Sequence, residues 1–507
     1  MSETLSRPTV FGRSPALRAA ALTFLFALGL GVRLIELTNP PLDEGYRYLN
    51  SALIARGMYY QMQPGADAWL RQQAIAMWRA AEAFEPPIFE RIVALTYLFT
   101  GGERLWLPRL YGIMFWLIGG AVLYRLAQRL AGADGALGAL AFYLLVPLGV
   151  FVSRRFQPDA FMVMWMLLAA LALDDWRERQ DWKRASLAGV ACGMAVLVKI
   201  FAVFAVAGMA VAVVLASARG RVWLRNRQVW AMAAVMTAIP AAYYLLDSGA
   251  RSADYFLFWN VSFAHLLAKP WFYVRWLDLV ENVVGVMVVC ASLAGMTIAP
   301  ASRRPVLMGW WVGYFLFGLA FPWQIHTHDY YSLMLIPIVG LSLAPLGALF
   351  FERLAGQSKF WQAVFLAAAL LALAYPAWSV RLHLVSGDQR VNWRAWEKIG
   401  AAIPKDGEMI ALTQDYGVRV KYFAGREVFT WPYRFDYDLA ATRAGGQNVD
   451  FEADFARRTA GMTYFLVTDR TELEAQPLLK DKLYAGYRLV AEGDGYMLFD
   501  LREPKGP

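Results

Sequence analysis

Residues 135–173 read GALGALAFYLLVPLGVFVSRRFQPDAFMVMWMLLAALAL, two apolar runs held apart by one short polar turn, Ser153-Arg154-Arg155-Phe156-Gln157-Pro158-Asp159. A helix needs roughly 20 predominantly apolar residues to cross the hydrocarbon core of a bilayer. The runs 132–152 and 157–174 have about that length, so this stretch predicts two spanning helices joined by a tight reversal. Outward from it the pattern repeats at 16–37, 106–129, 185–198, 200–217, 229–247, 273–298, 306–322, 330–351 and 360–380. The expected fold is a polytopic α-helical membrane protein of about eleven transmembrane helices.

Composition points the same way. Of 507 residues, 58% are hydrophobic and only 18% charged, against about 25% charged in soluble domains. A net charge of +9 can signal nucleic acid, but Lys and Arg gathered at the cytoplasmic ends of spans account for it, and no nucleic-acid partner is expected. Cys192 and Cys290 both fall in apolar runs and read as small packing residues rather than a disulfide or metal pair. The first apolar run ends in Arg33 and Glu36 with no small-residue cleavage site after it, so it reads as a retained span and not a signal peptide.

Orientation follows from the short loops. Arg7, Arg13 and Arg18 precede the first span, Arg125 and Arg129 end the second, and Arg177, Arg179, Lys183 and Arg184 follow the fourth. Arg219, Arg221, Arg225 and Arg227 follow the sixth, Arg303 and Arg304 the eighth, and Arg353 and Lys359 the tenth. A cytoplasmic N-terminus puts every one of these clusters on the cytoplasmic side. Three larger segments are then left outside: 38–105, 248–272 and the tail. The first carries amphipathic stretches at 46–58 and 68–82, then Pro86-Pro87 and an apolar run 88–100 that suits an interfacial helix better than a span. The sequence thus divides into a membrane domain, 1–380, that includes the loop 38–105, and a polar tail, 381–507. Apolar runs at 409–413 and 463–468 in the tail predict buried strands, 471–482 a helix, and 487–501, broken by Gly493-Asp494-Gly495, a hairpin. The tail is expected to be a small α/β domain.

Against this topology some charges stand on the wrong side. Arg154 and Arg155 occupy the outer turn between the third and fourth spans, and Lys199 the outer turn between the fifth and sixth. Cations there oppose the insertion bias, so a counter-interaction is expected. Either they snorkel to headgroups or pair with Asp159, or they hold a phosphate at the membrane surface, where Arg offers a fork of donors and Lys a point charge. Asp43 and Glu44 follow Pro40-Pro41-Leu42 just outside the first span. A carboxylate beside a low-dielectric boundary can serve as a base, or Asp43 can simply cap the helix that begins near Tyr46. At the outer end of the ninth span Trp323, His326, His328, Asp329, Tyr330 and Tyr331 form either an interfacial aromatic belt or a polar rim facing a substrate. His-x-His-Asp is a weak metal signature, because no further His or Cys stands in a partner position. The loop 251–276, with Tyr255, Trp259, Asn260, His265, Lys269, Trp271 and Arg275, reads as a second belt or as an acceptor-binding shelf.

These residues in this order resemble the GT-C type membrane glycosyltransferases, and glycosyltransferase family 39 in particular, which includes protein O-mannosyltransferases and lipid A aminoarabinose transferases. The carriers are Leu42-Asp43-Glu44, Glu85-Pro86-Pro87-Ile88, Ser153 to Asp159, Leu197-Val198-Lys199, and His328-Asp329-Tyr330-Tyr331 followed by Pro337. The resemblance covers roughly 30–380, with a further likeness in the tail. It implies transfer of a sugar from a polyprenyl-phosphate donor to an acceptor glycolipid, glycan or protein outside the cytoplasm, at a bacterial inner membrane. By it Asp43 would be the general base and Glu44 its support. Arg154, Arg155 and Lys199 would absorb the charge of the departing phosphate, and one displacement would invert the anomeric centre. Asp159, Glu85, His326, His328, Tyr330 and Tyr331 would line the substrate site. The family often has Lys before the paired prolines where this chain has Glu85, which shifts the phosphate contacts onto the other three cations. No cofactor is implied beyond the lipid-linked donor, and a divalent cation is compatible with such a site although side-chain cations alone can do the work. Two other readings compete: a ligase that moves a polyprenyl-pyrophosphate-linked glycan, and a flippase or transporter. Transporters usually carry ionisable groups near the midplane, whereas here the spans are nearly free of charge and the charges gather at outer ends.

Overall fold

In the computed structural model each apolar run forms helix, and proline and glycine set where the helices bend and stop. The structure describes residues 10–12, 14–42, 44–82, 85–217, 220–245, 257–443 and 449–504. Pro15–Leu34, Leu107–Leu145, Asp329–Ala355 and Lys359–Ser386 are each long and apolar enough to cross a bilayer unaided. The other runs form Asp159–Glu178, Trp182–Val198, Ala202–Ser217, Arg227–Tyr244 and Arg304–Ala320, which are 16 to 20 residues long. Lys359–Ser386 buries only Val380 and exposes Phe360, Trp361, Leu371, Tyr375 and Trp378. An apolar helix left bare on all sides is at home only in lipid. The chain is a multi-pass helical membrane protein, and the number eleven rests on the sequence runs.

Two predicted spans are not straight. The run 273–298 is two helices, Pro270–Val283 and Val286–Ile298, bent by 84° where Gly285 takes φ 88°. Only a residue without Cβ turns the chain that way cheaply, and a run of spanning length does not show the bend. The runs 106–129 and 132–152 join as Leu107–Leu145 with a break at Gly132, and Pro147–Val152 forms a separate short helix. Elsewhere small residues allow close packing: a Cβ on Gly309 would meet the Gly208 carbonyl oxygen at 2.2 Å, so Ala202–Ser217 and Arg304–Ala320 approach backbone to backbone.

The chain forms two compact units, and the division differs from 1–380 and 381–507. The first unit comprises Met1–Leu37, Phe84–Pro86 and Pro108–Ser386. The second comprises Thr38–Ala83, Pro87–Leu107 and Gly387–Pro507, so the first outer loop packs with the tail. Within the second unit, Tyr46–Gln61, Ala68–Ala80 and Ile88–Thr100 are helices, where the sequence placed two amphipathic stretches and an interfacial helix. Arg56 ties loop to tail: its Nε donates to Glu103 at 2.8 Å, its Nη1 to the Tyr422 carbonyl at 2.8 Å, and its guanidinium lies 3.7 Å from the Tyr422 ring centre.

The tail is an α/β layer around five strands, β1 (Met409–Leu412), β2 (Phe429–Thr430), β3 (Tyr464–Val467), β4 (Tyr487–Gly493) and β5 (Tyr496–Pro504). Their order is β2-β1-β3-β5-β4, with β1 parallel to β2 and β3, and β5 antiparallel to β3 and β4. Alternation in the strands fills both faces. Ile410, Leu412, Phe465, Val467 and Phe499 pack with Trp431, Phe455 and Leu479, while Met409, Ala411, Leu466 and Leu498 pack with Trp396, Ile399, Val420 and Leu42. The predicted helix 471–482 is two helices, Arg470–Glu474 and Pro477–Gly486. Pro477 lacks the N–H an interior position needs and opens a new helix instead. After β1, Asp415 and Tyr416 both lie at φ 51°, followed by Gly417 at φ 82°. Consecutive non-glycine residues in the left-handed region cost roughly 1–2 kcal/mol each, and such strain persists only where surrounding contacts enforce it.

Candidate functional site

In the first unit two layers of charge bracket the helix Asp159–Glu178. Near its C-terminal end Asp174 accepts from Arg129 at 3.0 Å and from Arg177 at 3.0 Å, and also pairs with Arg303. Basic clusters assigned to one membrane side from three separate loops thus share one carboxylate. At its N-terminal end sits Asp159, and the helix that carries both ends is 20 residues long, a length of about 30 Å, close to the thickness of a hydrocarbon core.

At that end Asp159 and Lys199 meet although 40 residues separate them. The helix Asp159–Glu178 and its antiparallel neighbour Trp182–Val198 are joined by a short turn, which returns the end of the second to the start of the first. Lys199 leaves the helix with φ −155° and its Nζ donates to Asp159 Oδ1 at 2.8 Å. Both side chains are nearly sealed, at 3% and 2% exposure. Glu85 Oε1 stands 4.0 Å from the same ammonium. The rings of Tyr331 and Tyr330 lie 5.0 and 5.1 Å from it, close enough for cation–π attraction. Arg155 Nη1 reaches to 3.7 Å from Asp329 Oδ1, and both remain partly open to solvent. His328 packs near Tyr330 and Tyr331 and bonds through Nδ1 with the Thr327 hydroxyl.

The structure therefore brings together Glu85, Arg155, Asp159, Lys199, His328, Tyr330 and Tyr331, from loops far apart in sequence. Asp159 pairs with Lys199 and not with the two arginines. Arg154 turns inward, 3% exposed, and its Nη2 donates to the Glu36 carbonyl at 3.0 Å. Arg155 beside it stays partly exposed, so the two arginines have different surroundings. Asp43 lies outside the described residues, as do Tyr255, Arg7, Arg13 and Arg219. Glu44 is half-buried in the second unit.

Residues 85–245 match the family model described as dolichyl-phosphate-mannose-protein mannosyltransferase. Lipid A galacturonosyltransferase RgtD from Rhizobium johnstonii is 25% identical over 163 residues, 32% of this chain and 34% of its own. The match thus spans about a third of the length of that curated relative. The crystal structure of ArnT from Cupriavidus metallidurans bound to undecaprenyl phosphate aligns with TM-score 0.59 at 16% identity over 95% of this chain and 98% of that one. Archaeal AglB from Archaeoglobus fulgidus, an oligosaccharyltransferase solved with an inhibitory peptide and a dolichol-phosphate, aligns with TM-score 0.60 at 13% identity over 96% and 74%. The chain has the GT-C glycosyltransferase fold. The family model, the relative and the archaeal structure all name glycosyl transfer, and Glu85, Arg154, Arg155, Asp159 and Lys199 fall inside the interval of the family match.

Two residues of this GT-C chain were not singled out from the sequence as site residues. Arg33, fully buried, donates from Nε to Ser153 Oγ at 2.8 Å and from Nη1 to the Gly29 and Leu144 carbonyls at 2.8 and 2.7 Å. Arg109 donates to the Leu37 carbonyl at 2.5 Å. With Arg154 they fix the end of the first helix and the turn that carries Arg155. The available signal was an arginine inside an apolar run, which is expensive unless it has work to do there.

His326 and His328 do not form one site. His326 is caged by Trp271, Phe272 and Trp323, with ring centres 5.4 to 5.7 Å away, and its Nδ1 donates to the Pro322 carbonyl at 2.6 Å. Among the described residues no three His, Cys, Asp or Glu side chains converge as a metal-ligand set. Burial holds the His326 imidazole below its usual 6.5, and Arg275 adds to this while the Pro322 carbonyl opposes it. Below about pH 6.5 the unfolded chain takes up a proton that folded His326 resists, so stability is full above that pH and falls as pH is lowered. Thermal unfolding in detergent is expected to show a lower Tm at about pH 5 than at about pH 7.5. His326→Gln, which keeps a donor for the Pro322 carbonyl but does not titrate, flattens that part of the profile.

Proposed function

We propose that the protein transfers a sugar from a polyprenyl-phosphate-linked monosaccharide to an acceptor hydroxyl at the periplasmic face of a bacterial inner membrane, with inversion. The observation that carries this reading is the buried Lys199–Asp159 pair flanked by Glu85, Arg155, Tyr330 and Tyr331 at one end of the spanning helices. A phosphate leaving group needs cations fixed before it departs. Lys199 is already neutralised by Asp159, so Arg155, more open and only loosely held by Asp329, is the cation free to fork onto phosphate oxygens. Arg154 contributes by holding the turn, and Asp43, supported by Glu44, removes the acceptor proton.

The relative that acts on lipid A favours a glycolipid acceptor over a protein. Purified protein given a radiolabelled monosaccharide polyprenyl phosphate, with lipid A or a hydroxyl-bearing peptide, is expected to label lipid A. Label on the peptide alone would move the acceptor to protein. Transfer only from a pyrophosphate-linked oligosaccharide would make the enzyme a ligase, and transfer from neither donor would overturn the enzymatic reading in favour of a flippase.

A further inference from the structure

The geometry points to Arg419, held by the strained turn Asp415-Tyr416-Gly417, as the positioning residue that presents the acidic pair Asp43-Glu44. This rests on the reading of Asp43 as the base. Arg419 Nη2 donates to the Leu42 carbonyl at 2.7 Å, and its Nε donates to Asp415 Oδ2 at 2.5 Å. The Leu42 side chain, 2% exposed, is sunk among Trp396, Ile399, Val420 and Leu466 in the tail's core. Four residues further on, the Tyr46 ring meets the Tyr416 ring edge-on at 5.9 Å. Both flanks of the acidic pair are therefore gripped by one turn of the tail, Leu42 through Arg419 and Tyr46 through Tyr416.

That turn holds two non-glycine residues at φ 51°. Strain of this kind needs contacts that enforce it, and it gathers where geometry serves function. Gly417, at φ 82°, could not carry a Cβ without meeting Val428 at 2.9 Å. The Tyr416 hydroxyl donates to Asp436 Oδ1 at 3.0 Å, and the Thr430 hydroxyl donates to the Tyr416 carbonyl at 3.2 Å. The turn is thus braced from β2 and from the helix Arg434–Thr442. A forked guanidinium suits the task because one arm holds the carboxylate that orients it while the other holds the carbonyl. By this account the tail domain serves catalysis by fixing the chain on either side of the base.

The test uses the full-length protein in nanodiscs and compares wild type with Arg419→Ala, Asp415→Asn and Asp43→Asn. Two quantities are measured: amide hydrogen exchange of the peptide spanning 40–46, and transfer kinetics. Arg419→Ala is expected to speed exchange across 40–46 about tenfold, as expected when one charge-assisted hydrogen bond is lost, while exchange of β1 and β3 stays unchanged. It is expected to lower kcat about a hundredfold, the size of loss that a small misplacement of a reacting group produces, with donor KM within about twofold of wild type. Unchanged exchange at 40–46 overturns the proposal, and so does faster exchange with unchanged kcat. If Arg419→Ala loosens β1 and β3 as well, Asp415→Asn is read by the same criteria, since it keeps the guanidinium and loosens only its brace. Full activity in Asp43→Asn is a separate failure, that of the base itself.

Discussion

Asp43→Asn is expected to abolish sugar transfer, with kcat falling between about a hundredfold and 10⁴-fold, the range a general base contributes. The substitution keeps size and hydrogen-bonding capacity and removes only the ability to accept the acceptor's proton. Donor affinity should stay near wild type, because under the proposed function the donor phosphate is met by Arg155 and not by Asp43. A fall in kcat and kcat/KM together, with donor binding kept, marks an interaction made in the transition state. Equilibrium binding of polyprenyl phosphate and single-turnover transfer, measured on the same preparation, check both halves. Full turnover by the Asn variant would remove Asp43 from the chemistry. Glu44→Gln is the companion measurement: if Glu44 only supports its neighbour, its loss costs far less than the loss of Asp43.

Much of the fold was legible in sequence because membrane spans and strands each follow one simple rule. Apolar runs of spanning length marked the helices, and the outer turn Ser153 to Asp159 was placed by the two runs that flank it. In the tail, continuous apolar runs made the strands readable at 409–413 and 463–468, and β1 buries Ile410 and Leu412 in one cluster and Met409 and Ala411 in the other. What stayed hidden is set by tertiary contact. The bend at Gly285 lies in a run long enough to read as one span, and the positive φ of that residue is what reveals it. Arg154 and Arg155 look equivalent side by side, yet one closes on the Glu36 carbonyl and the other faces Asp329. Nothing in the tail's composition joins Arg419 to Leu42, 377 positions away.

Lys199→Ala is expected to impair both folding and donor binding, and a double substitution separates the two effects. Removing the ammonium leaves Asp159, 2% exposed, without the cation 2.8 Å away. Breaking a buried pair from one side costs about 3–5 kcal/mol, because a charge is stranded in a low-dielectric setting. Replacing both partners by uncharged residues of similar volume is often nearly neutral. Lys199→Met combined with Asp159→Asn should therefore recover most of the Tm lost in Lys199→Met alone, and measuring Asp159→Asn by itself completes the cycle that gives the coupling energy of the pair. Donor affinity then decides the role of the lysine. If its charge acts on the phosphate, the double variant folds normally and still binds polyprenyl phosphate weakly. If its work is to brace the ends of Asp159–Glu178 and Trp182–Val198, the double variant regains the donor along with its stability. Glu85 sharpens the distinction, since its carboxylate lies 4.0 Å from the same ammonium. Without Lys199, Glu85 loses the ammonium 4.0 Å away and repels an incoming phosphate more strongly, which predicts that Glu85→Gln improves donor affinity in the double variant. No such gain is expected in the wild-type background, where Lys199 already screens Glu85.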